Sequence, residues 1–171
     1  SSYYDGIIIK YDSKGRAEWA RAIGGTKGDY ITSVIETSEG GYLVGGYFKS
    51  SSILLEKKIG IVNKGPTSFS DEILLKYNSD GKIEWTKGIG GTKDDYIKSL
   101  AEISDGGYIV GGYFYSTSID LGNGESLTNK STSNRINGMI LEINDKRSVP
   151  EVQELEITNN RKKFKITTDI K

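Results

Sequence analysis

Short apolar runs of strand length alternate with polar, Gly-bearing turns along most of the chain. The runs are rich in Ile, Val and Tyr, which favour extended strands. In the centre of the chain the pattern predicts four strands, at 31–37, 41–48, 72–78 and 82–89. The tetrads 38–41 and 78–81 contain Gly, which tolerates positive φ, so they predict two antiparallel hairpins. The pattern therefore predicts an all-β fold.

The chain repeats itself with a period of 66 residues. Residues 5–55 and 71–121 are identical at 31 of 51 aligned positions. The register continues without a gap through 56–70 and 122–136, and a third copy opens at Asn137. One repeat therefore contains four predicted strands, and its long loops, 49–70 and 115–136, belong to the period.

A unit of four antiparallel strands has the form of one β-propeller blade, and several such units packed face to face form a propeller. The run 73–75 is apolar at successive positions, which indicates a strand covered on both faces. Paired glycines inside strands indicate that a neighbour approaches closely, and Trp19 and Trp85 are the expected bulky partners. The alternative architectures are a stacked β-solenoid and a β-sandwich. The paired glycines are Gly45 with Gly46 and Gly111 with Gly112.

The predicted organisation is about two and a half blades within 1–144, followed by a β-hairpin tail. A half blade spans 5–23, a full blade 31–89 and a three-strand blade 97–144. Residues 145–150 are a predicted linker, and 151–171 either open a further β module or supply a closing strand. Because propellers use about 4 to 8 blades, we expect either a piece of a longer protein or self-association through open blade faces or edges.

Several motifs recur in a fixed order: a DGIIIKYD-type strand, a Trp-bearing outer strand, GG-x-x-x-D-Y, and DGGY-x-V-G-G-Y. In this respect the chain resembles the bacterial surface β-propeller repeat proteins, a kelch-like group, over residues 5 to 144. Its period is longer than a usual blade by about 15 residues. The resemblance implies a propeller fold and an extracellular or cell-surface location in a bacterium.

Composition excludes several kinds of chemistry. The chain has no Cys and no His, so it has no disulfide, no thiol nucleophile, no Ser-His-Asp triad and no imidazole ligand. Lys and Arg total 23 and balance 23 Asp and Glu, so no basic field favours nucleic acid. No run approaches the length of a membrane span. The sequence predicts no cofactor, no metal site, no nucleic-acid partner and no membrane insertion.

Residues that recur at matching places are expected to serve the scaffold. Asp29 and Asp95 follow Gly-rich turns and are predicted to accept hydrogen bonds from turn N–H groups. The repeated tyrosines are predicted to form core between blades, with a sugar-stacking platform as the alternative. They are Tyr30, Tyr96, Tyr42, Tyr108, Tyr47 and Tyr113.

Residues that break the repeat are the predicted ligand contacts, on the face where the long loops emerge. Asp94 replaces Gly28, Tyr115 replaces Lys49 and Asp120 replaces Leu54. The stretch 122–126 replaces 56–60 and brings in the amide of Asn123 and the carboxyl group of Glu125. Their spacing does not match a calcium-binding loop. The candidate ligand-binding residues are Asp94, Tyr115, Asp120, Asn123 and Glu125.

These features predict a non-catalytic module of a secreted or surface-anchored protein, which binds a glycan or a surface protein in adhesion. One alternative is a carbohydrate-active enzyme, which would need two carboxyl groups across a cleft. Another alternative is a structural spacer or self-assembling unit. We therefore do not predict an enzyme.

Overall fold

The computed structural model describes residues 4–55, 59–104, 106–130 and 136–145. In this part of the chain the fold is all-β and antiparallel, as the sequence predicts, and it contains no helix, hence none suited to spanning a membrane. Of the predicted linker 145–150 only Asp145 is described, and the predicted tail 151–171 lies outside the described residues. The strands are β1 (Gly6–Tyr11), β2 (Ala17–Ile23), β3 (Asp29–Glu36), β4 (Tyr42–Phe48), β5 (Ser52–Leu55), β6 (Ile59–Val62), β7 (Asp71–Tyr77), β8 (Ile83–Gly91), β9 (Asp95–Glu102), β10 (Gly107–Phe114), β11 (Ser118–Asp120), β12 (Ser126–Thr128) and β13 (Asn137–Asn144).

Three successive sheets follow the 66-residue period. The first sheet pairs β1 with β2, the central sheet contains β3-β4-β7-β8 and is extended beyond β8 by β11 and β12, and the third sheet has the order β9-β10-β13. The turns at the ends of equivalent strands are built alike. The Asp12 side chain accepts the Lys14 and Arg16 backbone N–H groups, and Asn78 accepts the equivalent pair from Asp80 and Lys82.

The long loops contain strands that the sequence analysis did not predict. Each contains a short hairpin, β5 with β6 and β11 with β12. The second hairpin lies in the loop between β10 and β13 of the third sheet but pairs with the outer strand of the central sheet, Ile119 opposite Gly91 and Asp120 opposite Gly90. The insertion that lengthens the repeat therefore fastens one unit to the unit before it.

Two hydrophobic cores lie between adjacent sheets. The core between the first and central sheets includes Val44, Phe48 and Leu75, and the core between the central and third sheets includes Val110, Phe114 and Leu141. The second trio lies 66 residues after the first, so the two cores are equivalent. Because the central sheet contributes to both cores, every residue of β7 is buried.

The paired glycines do not pack against the tryptophans, so that expectation is wrong. A side chain at Gly46 would meet the Tyr30 carbonyl oxygen, and one at Gly112 would meet that of Tyr96. A register shift in the neighbouring strand lies beside each of these glycines and brings the carbonyl close. The Trp19 ring instead lies against Gly81, and its Nε1 donates to the Ser79 carbonyl at 3.0 Å.

Trp85 occupies the equivalent place one repeat later. Its Nε1 donates to Asp145 Oδ1 at 3.0 Å, and its ring lies 6.5 Å from that of Tyr108. The two tryptophans therefore anchor β2 to the turn between β7 and β8, and β8 to the residue that follows β13.

Candidate functional site

Six tyrosine rings form a continuous row across the inner strands, which we call the tyrosine row. Successive ring centroids are 6.3, 4.9, 4.8, 5.3 and 6.0 Å apart. These separations are typical of interacting aromatic pairs. In spatial order the members are Tyr4, Tyr30, Tyr47, Tyr96, Tyr113 and Tyr115.

Strand register explains why the rings line up. Tyr30 at the start of β3 is opposite Tyr47 near the end of β4, and Tyr96 at the start of β9 is opposite Tyr113 near the end of β10. Each pair is thus a cross-strand pair within one sheet. The Tyr47–Tyr96 contact joins the two pairs across the boundary between sheets.

The tyrosine row is a surface and not part of a core, so the interblade-core interpretation is wrong for these rings. Tyr30 is 37% exposed, and Tyr47, Tyr96 and Tyr113 are half-buried and lie outside both hydrophobic cores. By contrast, Tyr108 is 1% exposed and belongs to the second core. The six repeated tyrosines therefore divide into a core set and a surface set.

Lys98 lies over the middle of the row, and the sequence alone did not single it out. Its Nζ is 5.6 Å from the ring centroid of Tyr47, 5.0 Å from that of Tyr96 and 5.4 Å from that of Tyr113. These distances are within the range of a cation–π interaction. The equivalent residue in the preceding repeat is Thr32. Comparison of the repeats would have found it as another break.

Asp94 and Tyr115, two of the predicted ligand contacts, lie at the tyrosine row. Asp94 Oδ1 accepts the Ser70 backbone N–H at 2.9 Å, and the Tyr115 backbone N–H donates to the Asp94 carbonyl at 3.1 Å. Burial and the adjacent Asp94 carboxylate raise the pKa of Tyr96 to about 12, and the nearby Ser70 hydroxyl opposes the shift. Tyr96 is therefore a neutral hydroxyl at physiological pH.

The other three candidates lie elsewhere. Asp120 forms a 2.6 Å ion pair with Lys64, and its carboxylate accepts the Gly122 backbone N–H. Asn123 and Glu125 hydrogen-bond to each other in the turn between β11 and β12. These contacts hold the hairpin turn. The described parts of the chain contain no group of three or more acidic residues able to hold a metal ion.

Glu72 is a second residue that the sequence reading did not single out. It lies opposite Tyr47 in the β4–β7 pairing and is fully buried. Neither carboxyl oxygen has a hydrogen-bond partner within the described ranges, although the Tyr96 backbone N–H lies near enough to favour the charged form. Burial, with the nearby Asp95 and Asp71 carboxyls, raises the pKa of Glu72 well above its usual range.

The repeat contains the signal that identifies Glu72. The equivalent residues in the first and third copies are Gly6 and Gly138, so the glutamate occurs only in the middle copy. Glu72, Asp94, Lys98 and Tyr115 all break the repeat, and all lie at or under the tyrosine row. Four of the departures from the repeat therefore lie together at one place.

Asp29 and Asp95 hold the turns that lead into Tyr30 and Tyr96 of the row. Asp29 accepts hydrogen bonds from the Gly25, Lys49 and Ser50 backbone N–H groups and from the Ser50 hydroxyl, at 2.7–3.2 Å. Asp95 accepts the four equivalent bonds at 2.8–3.3 Å. Burial raises the pKa of Asp95, while the Ser116 hydroxyl opposes the shift. These aspartates position the tyrosines that follow them.

Comparisons with known proteins give one partial likeness. No protein-family model matches the chain. The chain is 33% identical over 108 residues to the regulatory protein FlaEY of Caulobacter vibrioides. The match covers 63% of this chain but 11% of that protein. Such a small share shows neither a family nor an activity for this chain.

Proposed function

We propose that this chain is a β-propeller repeat module without catalytic activity, and that it binds a glycan along the tyrosine row. The observation that carries the proposal is the convergence of repeat-breaking residues on that row. A repeated scaffold needs residues of the same kind at equivalent core and turn positions, whereas a ligand site can use polar residues that occur at one place. The single-copy residues Asp94, Lys98 and Tyr115 are thus best explained by a ligand.

The sheet order supports the propeller part of the proposal. A blade is a four-stranded antiparallel meander, and β3-β4-β7-β8 has that order. Equivalent hydrophobic cores on its two faces agree with blades packed face to face. The inner strands β3 and β9 begin at the tyrosine row, which would therefore lie where the loops of a propeller converge around its channel.

The chemistry of the row supports a sugar ligand. A tyrosine ring offers an apolar face for the C–H groups of a pyranose and a hydroxyl for its polar edge. Lys98 and Asp94 add a cation and a carboxylate beside the same rings. A row of half-buried rings fits an extended chain of sugars better than a single small molecule in a closed pocket.

The enzyme alternative has weaker support. A glycosidase needs two carboxyl groups facing the scissile bond. Glu72 has a raised pKa but is fully buried beneath the row, so its carboxyl does not meet the surface on which a glycan would lie. Secretion or attachment to a bacterial surface, and a role in adhesion, rest on the resemblance of the repeat motifs.

A glycan array probed with the whole 171-residue chain tests the proposal. We expect binding to a restricted set of oligosaccharides, and Tyr113→Ala should weaken it about tenfold or more, because it removes one ring from the middle of the row. Lys98→Thr, which restores the residue of the preceding repeat, should weaken the binding of acidic glycans more than that of neutral glycans. Leu54→Ala is the control, since Leu54 is 70% exposed on β5. Silence on the array, or full binding by Tyr113→Ala, would contradict the proposal.

A further inference from the structure

The two hydrophobic cores show which face of each sheet packs against which neighbouring sheet. In the core between the central and third sheets, Leu43 and Leu74 come from the central sheet and Met139 and Leu141 from the third. In the core between the first and central sheets, Ile8 takes the place of Leu74, and Ile73 and Leu75 take the places of Met139 and Leu141. Every sheet thus has one face directed to the sheet before it and another directed to the sheet after it.

The first sheet exposes the face that is buried in the other two. We call Ile7, Ile9 and Tyr11 on β1 the leading face; they are 62%, 38% and 57% exposed. The equivalent residues of the central sheet are Ile73, Leu75 and Tyr77, which are 3%, 1% and 1% exposed. The same three positions of the third sheet are also buried. In the described residues, the leading face therefore has the residues of a hydrophobic core but no sheet packed against it.

The third sheet exposes the opposite face. We call Ile140 on β13, with Ile109 on β10, the trailing face. Ile140 is 59% exposed, whereas its equivalent in the central sheet, Leu74, is fully buried. Ile109 is half-buried, whereas its equivalent, Leu43, is fully buried. Inside the chain, residues equivalent to the trailing face pack against residues equivalent to the leading face.

We propose that the leading face of one copy of this chain docks against the trailing face of a second copy. The argument for a second copy is complementarity: the two faces consist of the same kinds of residue, at the same repeat positions, as the halves that already pack inside the chain. The equal numbers of acidic and basic residues add no overall charge repulsion. Because the two faces differ, the contact is heterologous and propagates head to tail.

The test uses two variants that each spoil one face. Ile9→Lys places a charge on the leading face and leaves the trailing face intact, and Ile140→Lys does the reverse. Both residues are exposed, so neither change should prevent folding, which circular dichroism checks. Leu54→Lys is the matched control, because Leu54 is exposed on the β5–β6 hairpin and belongs to neither face. Sedimentation velocity over about a hundredfold concentration range measures the assembly state.

We expect the wild-type chain and Leu54→Lys to associate as concentration rises, and each face variant alone to stay monomeric. A mixture of Ile9→Lys with Ile140→Lys should form a dimer and stop there, because each variant supplies the face that the other lacks. A wild-type monomer throughout the range would overturn the proposal. Association of both face variants to the wild-type extent, or no dimer in the mixture, would also overturn it. The result does not depend on glycan binding, so the two proposals fail separately.

Discussion

At the scale of single residues, one buried carboxylate organises each turn that leads into an inner strand. Asp95 is fully buried and accepts four hydrogen bonds, from Gly91, Tyr115 and both donors of Ser116. It thereby joins the end of β8, the start of β9 and the segment after β10. Its neighbour Tyr96 is the ring at the centre of the tyrosine row, so the scaffold residue and the site residue are adjacent in sequence.

Asp95→Ala should lower the free energy of unfolding by roughly 3 kcal/mol, because it leaves several buried donors without their charged acceptor. Urea unfolding followed by circular dichroism measures the change. Asp80→Ala is the control, since Asp80 is exposed in the turn between β7 and β8. Equal stability of Asp95→Ala and the wild-type chain would mean that the turn does not depend on this carboxylate.

At the scale of elements, close backbone approach decides where glycine is required. Gly112 lies beside the register shift between β9 and β10, where the Tyr96 carbonyl oxygen fills the space of a side chain. Gly138 lies in β13, which pairs with β10, and it has open space around the position of a Cβ. Two strand glycines in one sheet therefore differ in their tolerance of substitution.

Gly112→Ala should destabilise the chain by roughly 2 kcal/mol, because the methyl group forces the bulged backbone apart. Gly138→Ala should leave the stability unchanged or raise it by up to about 1 kcal/mol, since alanine restricts the unfolded chain more than glycine does. Thermal unfolding of both variants measures the contrast. Similar losses in the two variants would contradict the explanation by backbone approach.

At the scale of the whole molecule, two buried acidic groups at the start of β7 link stability to pH. Burial raises the pKa of Asp71 to about 6, although the Lys64 backbone N–H donates to it, and burial also raises the pKa of Glu72 well above its usual range. From about pH 4 to pH 6 and above, the unfolded chain therefore releases protons that the folded chain retains. The stability from these groups is present below about pH 4 and is lost as pH rises through their folded pKa values.

Glu72→Gln should flatten this decline, because the amide keeps the shape of the side chain without the buried charge. We expect a higher midpoint of thermal unfolding than the wild-type chain at pH 8 and a similar midpoint near pH 4. Glu36→Gln, at an exposed position of β3, should follow the wild-type profile. A wild-type profile for Glu72→Gln would show that Glu72 does not control the pH dependence.

The sequence by itself determined the main strands of each unit and their antiparallel order, but not the hairpins β5–β6 and β11–β12. The predicted strand 72–78 corresponds to Asp71–Tyr77, and 41–48 to Tyr42–Phe48. These features are local, because apolar alternation and Gly-bearing turns act between residues that are close along the chain. The 66-residue period also shows which residues are equivalent in successive repeats, and therefore which residues break the repeat.

Only the tertiary structure decided which of those breaks come together. It brought Asp94, Lys98 and Tyr115 to the tyrosine row, placed Glu72 beneath it, and left Asp120 on a separate hairpin. It also decided that Tyr108 is core while Tyr96 is surface, although both recur in the repeat. The physical reason is that burial and side-chain contacts arise between sheets, where residues from different repeats meet. The sequence pattern of one strand does not show which residues of the next sheet pack against it.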